Sequence, residues 1–591
     1  MCGIFSVLNW HHKETDTSSY ELGERFIKGK GRGPDNTIFM KKDPNVVLGF
    51  HRLAINGLDE ISNQPIYSED CNIVVICNGQ IYNWRELETK YNFIYKTNSD
   101  CEAIIHCYRK FGIEHTLQLL DGVFAFVLLD YREGKKVCHV ARDPFGVRPL
   151  YSFKGYTNTQ PTNEFIGFSS LLKMIQSSGS EDTIRIKEIQ QFLPGTYETY
   201  TYNTHHETWT QTNQRRYFIV NKNIFSFPDA FDITTIQYAQ HITRDYLMKA
   251  VEKRVRNTER PIACLLSGGL DSSLVCALVN RYYDKQLETY SIGMKDSPDL
   301  KYAKMVADHI GSKHTEIIIT DEECKQTLET LVYHIESYDT TTIRASMGNY
   351  LVAKYISEHS EAKVIFNGDG SDEVCGGYMY MHMAPDETTF DMECRRLLQD
   401  IHLYDVQRSD RSISCNGLEA RTPFLDKTFV NMYMSIPEYI RFKGMRNSGN
   451  LKDRCIEKWL LRSAFEDMKL LPQEVLWRRK EAFSDGIIKL NQEPWYRTLG
   501  ERFKLSRDIQ LQDYNRIKKH KAPNTMEKHI YQHLFLKHFG ELRGSDILEV
   551  LPYFWMPKFV EGATDSSART LDIYKVDGRQ QEEEEEETIT I

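Results

Sequence analysis

The stretch Leu265-Leu266-Ser267-Gly268-Gly269-Leu270-Asp271-Ser272-Ser273 decides the fold of the second half of this chain. The apolar run Ile262–Leu266 predicts a short buried strand, and the pattern that continues to Tyr283 predicts a helix. Two glycines let backbone N–H groups approach phosphate oxygens, and a helix N-terminus adds the positive end of its dipole. The sequence therefore predicts a phosphate-binding loop with Asp271 as a magnesium ligand. No lysine follows the glycines, so this is not a Walker A loop.

Outward from this loop, short strand patterns alternate with helical patterns, which predicts a parallel α/β sheet. The predicted strands are Leu287–Gly293, His314–Ile319 and Val364–Asn367, and the predicted helices include Asp299–Ile310 and Cys324–Ile335. Helical patterns dominate between about residues 390 and 545. We therefore expect a parallel-sheet domain with a largely helical C-terminal part.

A second polar loop, Asn367-Gly368-Asp369-Gly370-Ser371-Asp372-Glu373, follows the strand pattern at residue 364. The carboxyl ends of parallel strands converge on one crevice, so this acidic loop should face the phosphate-binding loop. Three carboxylates beside a polyphosphate require a cation or a cationic group between them. The alternative interpretation of this loop is a polar helix cap formed by Ser371 or Asp372.

The first 200 or so residues have a different pattern, in which most segments are short, apolar and β-rich. Predicted strands include Cys2–Leu8, Val46–Arg52, Ile73–Cys77, Val123–Asp130, Val137–Arg142 and Thr196–Tyr202. Helical patterns near Tyr20–Lys28 and Asp100–Phe111 are interleaved with them. The polar segment His205–Arg216 is interpreted as a linker or surface loop.

Cys2 is a candidate nucleophile within this β-rich region. Once Met1 is removed, its thiol lies beside its own α-amine, whose reference pKa near 7.7–8.0 suits a general base. Asn78 and the N–H of Gly79 could form an oxyanion hole. Arg52 could bind a carboxylate and Asp100 an ammonium group. Together these groups predict a site that binds an amino acid and attacks its side-chain amide.

Composition limits the class of protein. The chain has 591 residues with 41% hydrophobic residues, and its 83 acidic against 74 basic residues give a net charge of −9. This argues against a nucleic-acid-binding protein, and no apolar run approaches the ~18–20 residues of a membrane span. The N-terminus does not resemble a secretion signal. Thirteen cysteines without a CxxC pair favour free thiols in a reducing, cytoplasmic environment. The run Glu582–Glu587 predicts a disordered tail.

Taken together, the motifs resemble the glutamine-hydrolysing asparagine synthetases from Cys2 to about Tyr574. Those in the first half are Met1-Cys2-Gly3-Ile4, Arg32-Gly33-Pro34-Asp35, His51-Arg52-Leu53-Ala54, Asp121-Gly122-Val123-Phe124-Ala125-Phe126, Arg142-Asp143-Pro144 and Gly146-Val147-Arg148-Pro149-Leu150. The second half adds the phosphate-binding loop, Gly293-Met294-Lys295-Asp296-Ser297-Pro298-Asp299-Leu300, Leu418-Glu419-Ala420-Arg421-Thr422-Pro423-Phe424-Leu425-Asp426, Lys480-Glu481-Ala482-Phe483-Ser484-Asp485-Gly486 and Trp555-Met556-Pro557-Lys558.

This resemblance implies a two-domain α/β ligase. A class II glutaminase of the Ntn-hydrolase type, an αββα sandwich, would span residues 2–210. A linker would span 211–235, an ATP-pyrophosphatase-like synthetase domain 236–560, and a tail 561–591. Cys2 would hydrolyse glutamine, and the ammonia would travel inside the protein. Aspartate would be adenylated by MgATP to β-aspartyl-AMP, and ammonia would displace AMP to give asparagine.

The resemblance also implies the site residues. The catalytic residues would be Cys2 and Asp369. Glutamine would be bound by Arg52, Leu53, Ala54, Ile55, Asn56, Asn78, Gly79, Gln80 and Asp100. ATP would be bound by Leu265, Ser267, Gly268, Gly269, Asp271, Ser272, Ile292, Asn367 and Gly368. Arg421 and Lys480 would reach aspartate or the intermediate, although Arg421 could instead form a structural ion pair. Magnesium would be held by Asp271 and Asp372.

Four positions depart from the family pattern. Gln80 stands where the family has a glutamate, and Gly31 where it has His or Ser. Asn367 and Asp369 stand where it reads SGEGSDE; we expect Asn367 still to donate to a nucleotide. The shorter Asp369 loses roughly 1.5 Å of reach, and a misplacement of ~1 Å at a reacting centre can cost about a hundredfold in rate.

Two alternatives stay open. One is a sibling ligase that adenylates another carboxylate, which Cys2 argues against, and the other is a pseudo-enzyme that binds glutamine or ATP. We expect glutamine, aspartate and ATP with Mg²⁺ as the small-molecule partners, no organic prosthetic group, and no nucleic-acid or membrane partner. A homodimer is the assembly to test, since the sequence does not determine the oligomeric state.

Overall fold

A computed structural model describes residues 1–176, 182–220, 233–442, 456–479, 495–496, 499, 525–540, 547–551, 556–557 and 559–560. The predicted acidic tail and the motif at Lys480 lie outside the described residues. No helix among the described residues combines the length and the apolar character that a bilayer crossing requires.

The first half of the chain contains twelve strands and three helices among the described residues. The strands are β1 (Gly3–Leu8), β2 (Asn36–Asp43), β3 (Val46–Arg52), β4 (Ile66–Tyr67), β5 (Ile73–Ile81), β6 (Gly122–Asp130), β7 (Val137–Arg142), β8 (Tyr151–Thr157), β9 (Gln160–Ser169), β10 (Ile184–Gln191), β11 (Thr196–Asn203) and β12 (Thr208–Arg216). The helices are α1 (Thr17–Ile27), α2 (Trp84–Tyr91) and α3 (Glu102–Leu119).

These strands form two six-stranded antiparallel sheets with the orders β10-β8-β9-β1-β3-β2 and β12-β11-β7-β6-β5-β4. The inner faces pack on each other through residues such as Ile4, Leu48, Ile76 and Val127. Helix α1 covers the outer face of the first sheet, and α2 and α3 cover that of the second. This four-layer αββα arrangement is the one that the resemblance implied.

The interpretation of residues 205–216 as a linker or loop was wrong. Residues 208–216 form β12, which pairs with β11 along its whole length at the edge of the second sheet. Most side chains of β12 are exposed, so its composition is polar. It therefore lacks the apolar run by which the other strands were predicted. Threonines fit such a half-exposed strand because β-branched side chains favour the extended backbone.

The second half is built on a parallel sheet. Its strands are β13 (Ile262–Leu265), β14 (Glu288–Met294), β15 (Lys313–Ile319), β16 (Val364–Phe366) and β17 (Glu419–Arg421), in the order β15-β14-β13-β16-β17. Every neighbouring pair is parallel. The strand order reverses between β13 and β16, which is where parallel sheets bind ligands. Both predicted polar loops follow these two strands.

Helices pack around this sheet and make up much of the rest of the second half that the structure describes. They are α4 (Ile233–Arg256), α5 (Leu270–Tyr282), α6 (Pro298–Ile310), α7 (Asp321–Ile335), α8 (Thr340–His359), α9 (Ser371–Cys375), α10 (Glu387–Asp400), α11 (Asp405–Ser414), α12 (Lys427–Ser435), α13 (Glu438–Arg441), α14 (Trp459–Phe465), α15 (Gln473–Leu476) and α16 (Met526–Phe539). The largely helical C-terminal part was therefore predicted correctly.

The two halves meet through buried charges. Arg32 pairs with Asp410 of α11 at 2.5 Å, and Arg148 lies 3.6 Å from both Asp410 and Glu419. Glu419 begins β17, so the edge of the parallel sheet contacts the first half. Each of these four side chains is almost fully buried, which makes the ion pairs costly to break and fixes how the halves fit together.

Candidate active site

The phosphate-binding loop joins β13 to α5 as predicted. Gly268 has a positive φ of 75°, and a Cβ atom there would lie 2.6 Å from the backbone nitrogen of Ala303, so only glycine fits. The hydroxyl groups of Ser267 and Ser272 lie 2.9 Å apart across the loop. The loop thus keeps a tight turn at the N-terminus of α5, where backbone N–H groups can meet an anion.

A large cavity opens above the carboxyl ends of β13 and β16. Its empty volume is about 1610 Å³ including its opening to solvent. Asp369 and Asp372 line this cavity. So do eight of the nine residues predicted to bind ATP, which are Leu265, Ser267, Gly269, Asp271, Ser272, Ile292, Asn367 and Gly368. Gly268 is the exception, because its role is to shape the turn. The two loops therefore share one cavity, as their positions in the sheet predicted.

Lys458 supplies the positive charge that the acidic loops require. Its ammonium nitrogen lies 2.6 Å from a carboxylate oxygen of Asp271 and 2.5 Å from one of Asp372. The lysine side chain is only 1% exposed. A buried ammonium group between two carboxylates satisfies all three groups at once, so the sequence-based requirement for a cation is met by the protein itself.

Asp369 is held from both sides. One carboxylate oxygen accepts a hydrogen bond of 2.9 Å from Arg408, and the other accepts one of 2.8 Å from the side-chain amide of Asn367. The same amide nitrogen donates to the hydroxyl group of Ser409 at 2.7 Å. Both amide hydrogens of Asn367 are thus used within the protein. These contacts favour a role for Asn367 in positioning Asp369, and its contact with a nucleotide stays a prediction.

Arg421 does not line the cavity. Its guanidinium group donates to Glu419 at 3.0 Å, to the backbone oxygen of Asn257 at 2.8 Å and to that of Arg254. The side chain is 1% exposed. These contacts favour the structural ion pair that we kept as the alternative for Arg421. The other residue predicted to reach aspartate, Lys480, lies outside the described residues.

Cys2 lies at the start of the first sheet beside the loop that follows β3. Its thiol group donates to the backbone oxygen of Leu53 at 3.6 Å, and Arg32 donates to its backbone oxygen at 2.8 Å. Burial raises the pKa of the thiol, and the adjacent terminal amine opposes this shift. Met1 is buried, and its ammonium group donates to the backbone oxygen of Leu418 in the other half at 3.2 Å.

Asn78 on β5 has an unusual environment. The side chain is fully buried, yet among the described residues neither atom of its amide group has a hydrogen-bond partner. Leaving such a group unpaired costs about 1–3 kcal/mol, so it needs an explanation in the function of the site. Gly79 follows, and a Cβ atom there would lie 2.4 Å from the backbone oxygen of Val123. An unpaired donor beside a glycine matches the predicted oxyanion hole.

Asp100 lies near the side-chain amides of Asn56 and Gln80. Burial raises the pKa of Asp100 to about 7, although its carboxylate accepts a 2.5 Å hydrogen bond from the N–H of Ile81. The amide of Asn56 donates to the side-chain oxygen of Gln80 at 2.9 Å. Gln80 therefore serves as an acceptor, which a glutamine provides as well as a glutamate does.

Arg52 supports the loop after β3. Its terminal nitrogens donate to the side chain of Asn63 at 2.6 Å and to the backbone oxygens of Asp59, Asn56 and Gly57. A carboxylate bound by Arg52 would have to displace some of these contacts. The predicted residues Leu53, Ala54 and Ile55 lie in this loop, and the backbone oxygen of Leu53 accepts the thiol hydrogen of Cys2.

The predicted magnesium ligands pass a limited test of fit. Among the described residues, no group of three or more His, Cys, Asp or Glu side chains is arranged to hold a metal ion. Magnesium is, however, commonly held by one or two carboxylates together with substrate phosphates. Asp271 and Asp372 provide such a pair, and the hydroxyl group of Ser371 donates to Asp271 at 2.8 Å.

Comparison with known proteins adds independent evidence. The model of the family described as asparagine synthase matches residues 243–389 and 382–541, and the model of the glutamine amidotransferase domain matches residues 1–227. The glutamine-hydrolysing asparagine synthetase of Mus musculus is 39% identical over 97% of this chain and 99% of its own length. The chain belongs to the asparagine synthetase family. The corresponding Homo sapiens and Gallus gallus enzymes are 40% and 39% identical over the same shares.

Membership in the asparagine synthetase family confirms the predicted resemblance, the ligase class and the pairing of an amidotransferase with a synthetase. The sequence analysis nevertheless missed several residues of the second site. Lys458 and Arg408 line its cavity, and Ser409 holds Asn367. Lys458 precedes α14, and no local pattern marks it, because its partner Asp271 is 187 residues away in sequence.

Proposed function

We propose that this chain makes asparagine from aspartate, with glutamine as the nitrogen donor and ATP as the energy source, in two reactions at two sites. The glutaminase domain comprises the antiparallel half, which ends with β12 at Arg216. The synthetase domain comprises the half built on the parallel sheet, from α4 onward. The linker, which we first placed at residues 211–235, therefore starts after Arg216.

Cys2 performs the first reaction after Met1 has been removed. Its thiolate attacks the side-chain amide carbon of glutamine, and its own α-amine accepts and returns the proton. Asn78 and the N–H of Gly79 donate to the oxyanion that forms, ammonia leaves, and water then releases glutamate from the thioester. Asp100 in its ionised form binds the ammonium group of glutamine. Arg52 binds the carboxylate, in exchange for some of its loop contacts.

The second reaction takes place in the cavity above the parallel sheet. A side-chain carboxylate oxygen of aspartate attacks the α-phosphate of ATP, pyrophosphate leaves, and β-aspartyl-AMP remains. Ammonia from the first site attacks the acyl carbon, AMP leaves, and asparagine results. Asp369 occupies the position of the glutamate in the family pattern and is held by Arg408 and Asn367. It acts on this intermediate.

ATP enters as its magnesium complex. Asp271 and Asp372 would hold the ion, which supplies positive charge to the pyrophosphate that leaves. Lys458 already lies between these carboxylates, so it neutralises them before the nucleotide arrives. Its flexible side chain can then turn the ammonium group toward the phosphate oxygens. Lysine is suited to this role because its ammonium group is a compact point charge.

The observation that carries the proposal is the buried amide of Asn78, which has no hydrogen-bond partner among the described residues and can donate to a transient oxyanion. One purified sample should yield asparagine and pyrophosphate from aspartate and MgATP with either glutamine or ammonium. Glutamate release without pyrophosphate would mean that the synthetase site acts on another carboxylate or not at all. A cytoplasmic location and a homodimer stay predictions.

A further inference from the structure

A short segment of the synthetase half lies against the proposed glutamine pocket. Residues 257–260 connect the end of α4 to β13, the strand that leads into the phosphate-binding loop. They contact residues 54–57, which follow β3 in the other half and lack regular secondary structure. We call residues 257–260 the connecting segment and residues 54–57 the glutamine loop.

Four hydrogen bonds join these two stretches, and one of them runs from the side-chain amide of Asn56 to the backbone oxygen of Asn257 at 3.5 Å. The N–H of Glu259 donates to the backbone oxygen of Ile55 at 3.1 Å, and the carboxylate of Glu259 accepts from the N–H of Gly57 at 2.8 Å. Arg260 donates through Nε to the backbone oxygen of Ala54 at 2.9 Å. Backbone groups of Ala54, Ile55 and Gly57 thus have their partners in the other half of the molecule.

Asn257 extends this contact into the pocket. It is buried, its side-chain oxygen accepts from the indole N–H of Trp84 at 2.9 Å, and its amide nitrogen donates to the side-chain oxygen of Gln80 at 3.3 Å. That oxygen of Gln80 also accepts from Asn56 of the glutamine loop. Asn257 therefore fixes two amides that belong to the predicted glutamine-binding set.

A loop without regular secondary structure keeps one conformation only if contacts from outside hold it. Within its own half, Arg52 bonds the backbone oxygens of Asn56 and Gly57, and Asp35 accepts from the N–H of Ala54 at 2.8 Å. The remaining bonds described above come from the connecting segment. A pocket built on such a loop loses pre-organisation when part of that support is removed.

We propose that Asn257, Glu259 and Arg260 of the synthetase half are positioning residues for glutamine in the glutaminase half. This inference rests on the proposed function, because it takes the pocket around Cys2 as the glutamine site. None of the three residues needs to touch glutamine. They hold the glutamine loop and Gln80 in the binding geometry, so the glutaminase pocket is complete only in the presence of the synthetase half.

The test compares three variants of the full chain with the unaltered protein. Glu259→Ala and Arg260→Met each remove a loop contact, and Glu259→Gln keeps an oxygen that can accept from Gly57. We expect Glu259→Ala and Arg260→Met each to raise the KM for glutamine about tenfold, since a hydrogen bond to a charged group contributes that order of free energy. Glu259→Gln should restore most of the affinity, and kcat for glutamate release should change less than KM.

Lys427→Met is the matched control. Lys427 also crosses the boundary between the halves, because it donates to the backbone oxygens of Leu120 at 2.7 Å and Gln118 at 3.3 Å. Neither of these hydrogen bonds involves the glutamine loop. Its loss should leave the KM for glutamine unchanged. Ammonia-dependent synthesis should be unchanged in all four variants, which verifies that each one is folded.

The outcomes separate this inference from the proposed function. If the unaltered protein releases no glutamate from glutamine, the proposed function fails. If it does, and Glu259→Ala and Arg260→Met leave the KM unchanged, the inference is overturned. A rise of equal size in Lys427→Met overturns it as well. Faster hydrogen exchange at the amide of Gly57 in Glu259→Ala, with normal exchange in Lys427→Met, would support it even if activity were lost.

Discussion

In the antiparallel half, the buried amide of Asn78 has no partner among the described residues, whereas in the synthetase cavity Asp271, Asp369 and Asp372 each face a cation of the protein. The difference follows from the kind of group involved. Leaving a neutral amide unpaired costs about 1–3 kcal/mol, but leaving a carboxylate unpaired in a buried position costs far more. A neutral donor can therefore wait for its ligand, while the carboxylates need a substitute cation.

This comparison predicts that the two sites respond separately to substitution. Cys2→Ala should have the largest effect, because it removes the nucleophile. Glutamate release and glutamine-dependent synthesis should fall by about a thousandfold or more, while ammonia-dependent synthesis stays measurable. Product assays with both nitrogen donors on one sample provide the check. Equal loss with both donors would mean that the sites are not separate.

Asn78→Ala tests whether the unpaired amide is an oxyanion donor. Loss of one such donor typically lowers kcat by about 10²–10³, so glutamate release should fall by that factor. The substitution breaks no hydrogen bond within the described residues, so the melting temperature should change little. A large loss of stability with normal kcat would show that Asn78 is structural instead.

Asp369→Asn tests the opposite arrangement in the synthetase cavity. The substitution removes the charge that faces Arg408 and misplaces a group at the reacting centre, so ammonia-dependent synthesis should fall by about a hundredfold. Glutamate release should be unaffected, because the residue lies in the other half. Retained pyrophosphate release at the normal rate would exclude Asp369 from adenylation.

The pH dependence of the glutaminase sharpens the contrast further. Burial raises the pKa of Asp100 to about 7 in the absence of glutamine. Because the ammonium group of glutamine pairs with the ionised form, kcat/KM for glutamine should fall about tenfold per pH unit below that value. The pH profile of Asp100→Asn, measured at high glutamine, should lack this fall in activity below about pH 7. A break of equal size in ammonia-dependent synthesis would assign it to another group.

Asp369→Glu should have the smallest effect. It restores the side chain of the family pattern, so we expect synthetase turnover to be preserved or raised. The shorter side chain of Asp369 is held by Asn367, which itself is held by Ser409. A large loss of turnover would show that these partners have adapted to aspartate, and the double variant Asp369→Glu with Asn367→Ser should then recover activity.

Much of the fold followed from local patterns. The alternation of strands and helices predicted the parallel sheet. Strand β14 begins and ends one residue later than predicted, and helix α6 begins one residue earlier. Strand β12 was missed because its side chains are mostly exposed and polar, so no apolar run marks it. Patterns report burial on one face, and an edge strand with little burial gives almost no signal.

The site was predictable where chemistry lies in contiguous motifs. Cys2, Asn78 and the residues of the two polar loops became candidates in this way, and the structure places both loops at one cavity. Asn367 lines the cavity as predicted, but its contact with Ser409 of α11 could not be foreseen, because Ser409 lies 42 residues away in sequence. The resemblance placed Arg421 beside aspartate, whereas its partners in the structure are Glu419 of β17 and backbone oxygens of α4 and the connecting segment.

The sequence by itself determined the two reactions, the order of the two halves and the loops that carry most of the chemistry, because short motifs specify local backbone geometry and donor types. Only the tertiary structure decided which cation neutralises the acidic loops and which half holds the glutamine loop. Lys458 meets Asp271, and Glu259 meets Gly57, across 187 and 202 residues of chain. Such pairs form when packing brings distant segments together, and no local pattern encodes them.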